Sequence, residues 1–527
     1  MRNSGLRYRA RTNFCAVLEI LPMKPRQAAY ANYGIGIASV VINAIVSIAL
    51  VPLYFKFIGQ DIYGAWLTVV GFCGIAGILE AGLSTALTQK LSEVESRNDQ
   101  KKFINLAGSA ALIAAALTIT VTAAAIAIGW IAIGSVNVDV RVKVQIFESV
   151  VLWSVGTALS TVFHYFGAIA QAWRWVVVPG LVLLVSQLVY AAALIALLIA
   201  DFGVLAFGVA QAVFGVATAL FTGLLVTGQW RQRGYSSPNF NLNATRQLAR
   251  AMWSLSIVRA SGIANTNLEV SAVGTLVSTS DAASYSVAAK LIGLVGMVVD
   301  RIGSAVYASV AGVEKSRRKR VVVEVLAITF LTLSIGVGLS IAQTGNVLSL
   351  WIGPHATPQA SVILGLSLCA LIGGRLRALT NLSTSFGEFS ASAKVMVLEG
   401  VMRIVAIFVL GSLFGITGVA FAGLFGSLVC LILASRIVSR SVPDLSALQI
   451  VEYGYRGAII AISIGAAIIA MDWKASGVWT LMSVCVFLFL LIGVSIAIVD
   501  RPIFSLVVGN LGNLARFLKC SVRGRRN

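Results

Sequence analysis

An all-α membrane protein that crosses the bilayer about fourteen times is the fold this sequence predicts, and three observations carry it. Of 527 residues, 58% are apolar and only 11% charged, against about 25% charged in ordinary globular domains, and the mean hydropathy is +0.91. Uncharged apolar runs recur from one end of the chain to the other, each near the ~20 residues that span a bilayer as helix. The breaks between them alternate between strongly basic and nearly uncharged, as loops on opposite sides of a membrane do.

Taken in order, residues 1–30 are basic (Arg2, Arg7, Arg9, Arg11, Lys24, Arg26) but lack a long apolar core and a small-residue cleavage site, so they read as a cytoplasmic tail. Met23 offers a second start, and an intact N-terminal mass distinguishes the two. Spans follow at 31–56, 63–89, 103–133, 146–172, 175–200, 203–229, 251–279, 282–309, 321–343, 359–386, 390–413, 416–437, 456–472 and 478–500. The shortest links, such as Asp201 to Gly203, Ser280 to Asp281 and Phe414 to Gly415, mark helical hairpins. With the N-terminus inside, the inner segments collect RYRAR, Lys90 to Lys102, Arg174, Arg231 to Arg250, the run EKSRRKR, Lys394, Arg436 to Arg456 and the tail 501–527. The outer loops hold only Lys56, Arg141, Lys143 and Lys474, so positive-inside bias puts both termini in the cytoplasm. Trp130, Trp173, Trp175, Trp230, Trp253, Trp351, Trp473 and Trp479 fall near span ends, at headgroup level.

The same composition excludes several functions. Basic residues confined to short inter-span loops answer to anionic headgroups and orientation rather than to nucleic acid, so no nucleic-acid partner is expected. Cys15, Cys73, Cys369, Cys430, Cys485 and Cys520 show no CxxC spacing and read as small apolar packers; with His164 and His355 the only histidines, no metal or histidine-based chemistry is indicated. His164 reads as a packing or hydrogen-bonding residue. The GxxxxGK[ST] phosphate loop is absent, and the short outer loops leave no room for an extracytoplasmic catalytic domain. The expectation is a transporter, not an enzyme, without cofactor.

Spans one and two contain FIGQDIYGAWLTVVGFCGIAGILEAGLSTAL, and spans seven and eight LVSTSDAASYSVAAKLIGLVGMVVDRIGSAV. Asp61, Tyr63 and Glu80 of the first correspond to Asp281, Tyr285 and Asp300 of the second. Six spans separate the copies, giving both one membrane orientation, as in transporters whose halves are related by an axis along the membrane normal. The passage around Gly59, Asp61, Tyr63, Gly64 and Trp66, followed by LEAGLSTALTQKLSE, resembles the first hairpin of the polysaccharide repeat-unit (O-antigen-type) flippases of the multidrug/oligosaccharidyl-lipid/polysaccharide (MOP) exporter superfamily. DAASYSVAAKLIGLV resembles their second-half hairpin. This resemblance implies two six-helix lobes around a central cavity, an N-lobe at 31–229 and a C-lobe at 251–437, with a cytoplasmic linker at 230–250 and a loop and two further spans at 438–500. It also implies alternating access in a bacterial inner membrane. The cargo would be an undecaprenyl-pyrophosphate-linked oligosaccharide for lipopolysaccharide or exopolysaccharide. Coupling to H+ or Na+ and partnership with membrane lipids, a polysaccharide polymerase and chain-length machinery follow from the same likeness.

Ionisable residues within membrane spans are functional candidates by default. Here the cations are Arg259, Lys290, Arg301, Arg375, Arg377 and Arg403, and the acids Glu80, Glu269, Asp300 and Glu399. The positive excess calls for water or an anion to solvate it, and guanidinium forks match pyrophosphate oxygens. On span seven, Arg259, Asn265 and Glu269 fall within an arc of about 120°. Lys290 and Arg301 on span eight are nearly eclipsed and roughly 16 Å apart, suited to successive contacts with a moving anion. Arg375 and Arg377 diverge by about 200°, and Gly373-Gly374 before them suggests a local bend. Arg377 alternatively snorkels to headgroups. Asn381, with Asn265, offers uncharged partners for sugar hydroxyls. Glu80, Glu269 and Asp300 are the ion-coupling candidates. The competing reading of Glu399 and Arg403 is an intrahelical i, i+4 pair, that of Asp300 a neutraliser of Arg301 or a neighbouring cation, and that of Arg259 and Arg375 a structural pairing with Glu269 or Glu80.

Three other functions fit these residues less well. A drug or metabolite exporter of the same superfamily usually moves organic cations, which surplus arginine repels. A scaffold for glycan synthases leaves mid-span cations unexplained. A lipid II flippase also handles a pyrophosphate, but the first span here lacks arginine.

Overall fold

The computed structural model describes residues 42–499 apart from 44, 81, 176, 311–314, 443, 453–454 and 471–476. Side chains at 254–255, 257–261, 263–266 and 300–317, among others inside helices, are also outside the description. Both basic tails, Met23 and residues 31–41 of the first expected span therefore lie beyond the described residues.

Every regular element described is helical. In chain order they are α1 (Val51–Phe57), α2 (Gln60–Cys73), a 3₁₀ segment (Gly74–Leu79), α3 (Leu83–Ser96), α4 (Gln100–Ala132), α5 (Val140–Ala172), α6 (Val177–Ile199), α7 (Leu205–Gln232), α8 (Leu242–Leu276), α9 (Thr279–Val310), α10 (Lys315–Trp351), α11 (Ala360–Ser385), α12 (Phe389–Ser441), α13 (Ala447–Glu452), α14 (Tyr455–Ala470) and α15 (Val478–Val499). Among the described residues nine helices are long and apolar enough to cross a membrane, and three shorter ones are apolar. The chain is a multi-pass membrane protein.

Local chemistry sets the boundaries. Gly59 at φ 87° turns the chain between α1 and α2, a conformation open mainly to glycine. Ser278 caps α9: its hydroxyl accepts from the Asp281 amide (3.1 Å) and donates to the Asp281 carboxylate (2.6 Å). α12 is two arms in one continuous run, reversed at Gly415, whose φ of 60° breaks the helix between the two expected spans there. The second span behaves otherwise than its apolar run suggests, because between α2 and α3 the helix tightens to 3₁₀ and opens at Glu80. α11 runs unbroken through Gly373-Gly374. The missing side chain at Gly374 serves close packing, since a Cβ there would lie 2.6 Å from Leu333 of α10.

The chain divides into two compact units. The described residues of the first lie within 42–46, Ala76–Ala127 and Glu148–Ser256. Its core joins Leu83, Leu87 and Leu91 of α3 to Phe103 of α4, Ile169 of α5 and Leu248 of α8. A stacked aromatic group closes one end, with Phe103 on Trp173 at 6.0 Å, Trp230 edge-on to Tyr235 at 5.0 Å and the Arg233 guanidinium 4.7 Å from the Trp173 ring. Arg233 also pairs with Glu95 at 3.0 Å. Burial and the Glu95 carboxylate beside it push the Tyr235 phenol above its ordinary pKa. The described residues of the second unit are Ser47–Ile75, Ile128–Phe147 and those within 257–499. Its core is built on Phe330, Leu333 and Val337 of α10, Leu376 and Leu379 of α11 and Cys430 and Ala434 of α12.

Candidate functional site

Among the described residues, the buried and half-buried charges that the sequence singles out in the second unit stand in three local arrangements. The first is a buried ionic cluster. Arg403 of α12 donates through Nε to Glu269 Oε1 of α8 at 2.7 Å, and a terminal guanidinium nitrogen meets the same oxygen. It also reaches Glu399, one turn back on its own helix, at 3.4 Å. The Tyr285 phenol of α9 donates to the other Glu269 oxygen (3.1 Å), and Ser427 donates to Glu399 (3.2 Å). The expected Glu399–Arg403 pair is present. Glu269, a candidate for ion coupling, shares that arginine and ties α8, α9 and α12 together.

The second arrangement involves Arg375, which is 6% exposed. It donates to the Val451 carbonyl of α13 at 2.7 Å, and its guanidinium lies 4.3 Å from the Phe330 ring of α10. A planar, weakly hydrated cation suits both contacts.

The third brings two basic side chains onto neighbouring helices. Lys290 of α9, half-buried, donates to the Tyr63 phenol of α2 at 3.3 Å. Arg377 of α11, also half-buried, rests against α9 at Gly296, where a Cβ would lie 2.8 Å from a guanidinium nitrogen. The divergence of Arg375 and Arg377 on one helix is thus used: one faces α10 and α13, the other α9. Asn381 follows Arg377 by four residues and so shares its face of α11. The repeat-related Tyr63 and Tyr285 are 2% and 0% exposed. Asp61 and Asp281 occupy the first turns of α2 and α9. Glu80 lies in the first unit, where Thr161 of α5 donates to its carboxylate. The side chains of Arg259, Asn265, Asp300 and Arg301 fall outside those described.

Sequence reasoning missed the Tyr63 partner of Lys290 and the Val451 carbonyl that holds Arg375. Those partners are 227 and 76 residues distant, beyond any local signal.

Residues 29–311, more than half of the chain, match the family described as polysaccharide biosynthesis protein. No curated protein matches the sequence significantly. Among solved structures, the lipid II flippase MurJ in its inward closed conformation is similar at 11% identity, covering 89% of this chain and 98% of its own, with a TM-score of 0.69. An inward-facing multidrug resistance MATE family transporter of the MOP superfamily is 15% identical over 84% of this chain and 99% of its own, with a TM-score of 0.60. A MOP superfamily transporter from Pyrococcus furiosus, described by a reverse polarity of its binding pocket, is 13% identical over 86% of this chain and 98% of its own, with a TM-score of 0.57. The fold is that of these transporters.

Proposed function

The chain belongs to the polysaccharide biosynthesis protein family, and we propose on that premise that it translocates an undecaprenyl-pyrophosphate-linked oligosaccharide across the bacterial inner membrane by alternating access. Both termini would lie in the cytoplasm. The observation that carries the cargo class is the pair Lys290 and Arg377, basic side chains brought onto neighbouring membrane helices with Asn381 beside the latter. Cations in an apolar interior are stabilised by an anionic headgroup, and a diphosphate offers paired oxygens to a guanidinium fork. An organic cation meets the same charges as a barrier, which disfavours drug export. The fold shared with the lipid II flippase is consistent with this reading, since lipid II also presents a diphosphate.

Lys290→Gln and Arg377→Gln should each cut delivery of the surface glycan roughly ten- to hundredfold, the equivalent of about 1.5–3 kcal/mol per charge-assisted hydrogen bond. Lys290→Arg should retain most of it. The measurement is surface glycan and inner-leaflet lipid-linked intermediate in cells with matched protein levels. Wild-type delivery by both glutamine variants would remove these residues from the cargo path. Loss of resistance to cationic drugs with intact glycan would instead favour the drug-exporter reading.

A further inference from the structure

Of the three acids that sequence reasoning singled out for coupling, the structure separates two by their partners. Glu269 is ion-paired within its unit with Arg403, which it shares with Glu399. Glu80 meets a hydroxyl, that of Thr161, and among the described residues no cationic side chain stands at ion-pair distance from it. Its place is unusual as well. The apolar helix run Gln60–Ser96 is broken near its middle, where α2 gives way to the 3₁₀ segment Gly74–Leu79 and α3 resumes at Leu83. Glu80 occupies that break. Discontinuous helices inside a membrane require their freed backbone groups to be satisfied locally, and in transporters such breaks accompany ion sites.

Among the described residues of the break, three backbone amides have partners. The Glu80 amide donates to the Gly77 carbonyl (3.3 Å), the Leu83 amide to the Glu80 carbonyl (2.9 Å) and the Gly82 amide to the Ser256 hydroxyl of α8 (2.9 Å). The carboxylate is the group that remains to be balanced. An ionised carboxylate within a bilayer costs far more than one hydroxyl donor returns. A metal cation stripped of water needs several oxygen ligands, whereas one carboxylate and one hydroxyl, with the Gly77 and Glu80 carbonyls engaged, suffice for a proton. The titratable and charged groups on the elements packed here are His164 and Tyr165 of α5, one turn beyond Thr161, together with Arg250 of α8 and Arg259, one turn beyond Ser256. The Arg259 side chain is outside those described.

We propose that Glu80, with Thr161 as its hydrogen-bond partner, is a proton-binding site at the break in the second span, through which the transporter senses the proton gradient. Its purpose rests on the transport function proposed above; its existence does not. Binding is the addition of H+ to the carboxylate and needs no co-reactant.

The test is infrared difference spectroscopy of the full-length protein in liposomes during pH change, with a protonated-carboxyl band as readout. The wild type should show a band that titrates. Glu80→Gln should abolish it, and Thr161→Val, which deletes the hydroxyl at the carboxyl group, should move its titration. A band unaltered in Glu80→Gln, or one removed by adding Na+ at fixed pH, overturns the proposal. So does a band that emerges only in Arg259→Gln, because that arginine would then be the counter-ion that keeps Glu80 charged. Since no cargo enters the experiment, a protein that titrates at Glu80 but delivers no glycan refutes the earlier function alone.

Discussion

Arg403→Ala is expected to destabilise the second unit by about 3–5 kcal/mol, the usual cost of removing one partner from a buried ion pair. Arg403, Glu269 and Glu399 side chains are 19%, 10% and 6% exposed, so the two carboxylates left behind have little water to turn to. Tyr285 and Ser427 each give one of them a neutral hydrogen bond, which offsets only part of the charge. Arg403→Lys keeps the charge but loses the fork that serves Glu269 through two nitrogens, and should fall between. A combined Arg403→Met, Glu269→Gln and Glu399→Gln variant removes all the charge together and should recover most of the stability, because desolvation of the ions disappears with their attraction. Thermal unfolding of the full chain in lipid nanodiscs measures the series. An unchanged Tm for Arg403→Ala would mean that the cluster is solvated.

Short-range features of this chain are legible in its sequence, and long-range contacts are not. Helix positions follow from apolar length, so α4 to α7 and α11 fall within a few residues of the expected spans. The Glu399–Arg403 pair is written in an i, i+4 spacing and was legible for that reason. The break after Cys73 was not, because GIAGIL is as apolar as what surrounds it and differs only in hydrogen-bond register. Glu269 and Arg403 are 134 residues apart and meet only when α8 packs on α12. Arg375 shows the same limit from the other side. The sequence gives its cost in a membrane, but its backbone partner belongs to a six-residue helix too short for any periodicity to announce. Arg377, two residues on, could be separated from Arg375 by helical angle before any coordinates, and the structure puts it against a different helix.

Gly64→Leu is expected to force α2 away from α9, at a cost at or above the ~3 kcal/mol upper end of ordinary overpacking. The contact it disturbs is backbone against backbone: a Cβ at Gly64 would lie 1.7 Å from the Thr279 carbonyl oxygen, which no rotamer change relieves. Nearby, a Cβ at Gly274 would lie 1.8 Å from the Thr68 hydroxyl and one at Gly71 2.7 Å from the Asn267 carbonyl, so α2 is seated along its length on both α8 and α9. Displacing it loses the Gln60 amide bonds to the Ser280 carbonyl (3.1 Å) and Ser284 hydroxyl (2.9 Å), the Ser271 hydroxyl bond to the Thr68 carbonyl (2.9 Å) and the Lys290–Tyr63 bond. Each polar group stranded in the interior adds its own desolvation cost. Gly77→Ala is the control, since a Cβ at Gly77 meets nothing within 4 Å, and it should leave stability nearly unchanged. Cross-linking of a Gln60→Cys, Ser284→Cys pair reports the seating directly. High yield in the parent and Gly77→Ala backgrounds, with loss of yield and of Tm in Gly64→Leu, is the expected pattern. Equal yield in all three would mean that α2 is not held by these close approaches, and the Tyr63 partner assigned to Lys290 would fall with it.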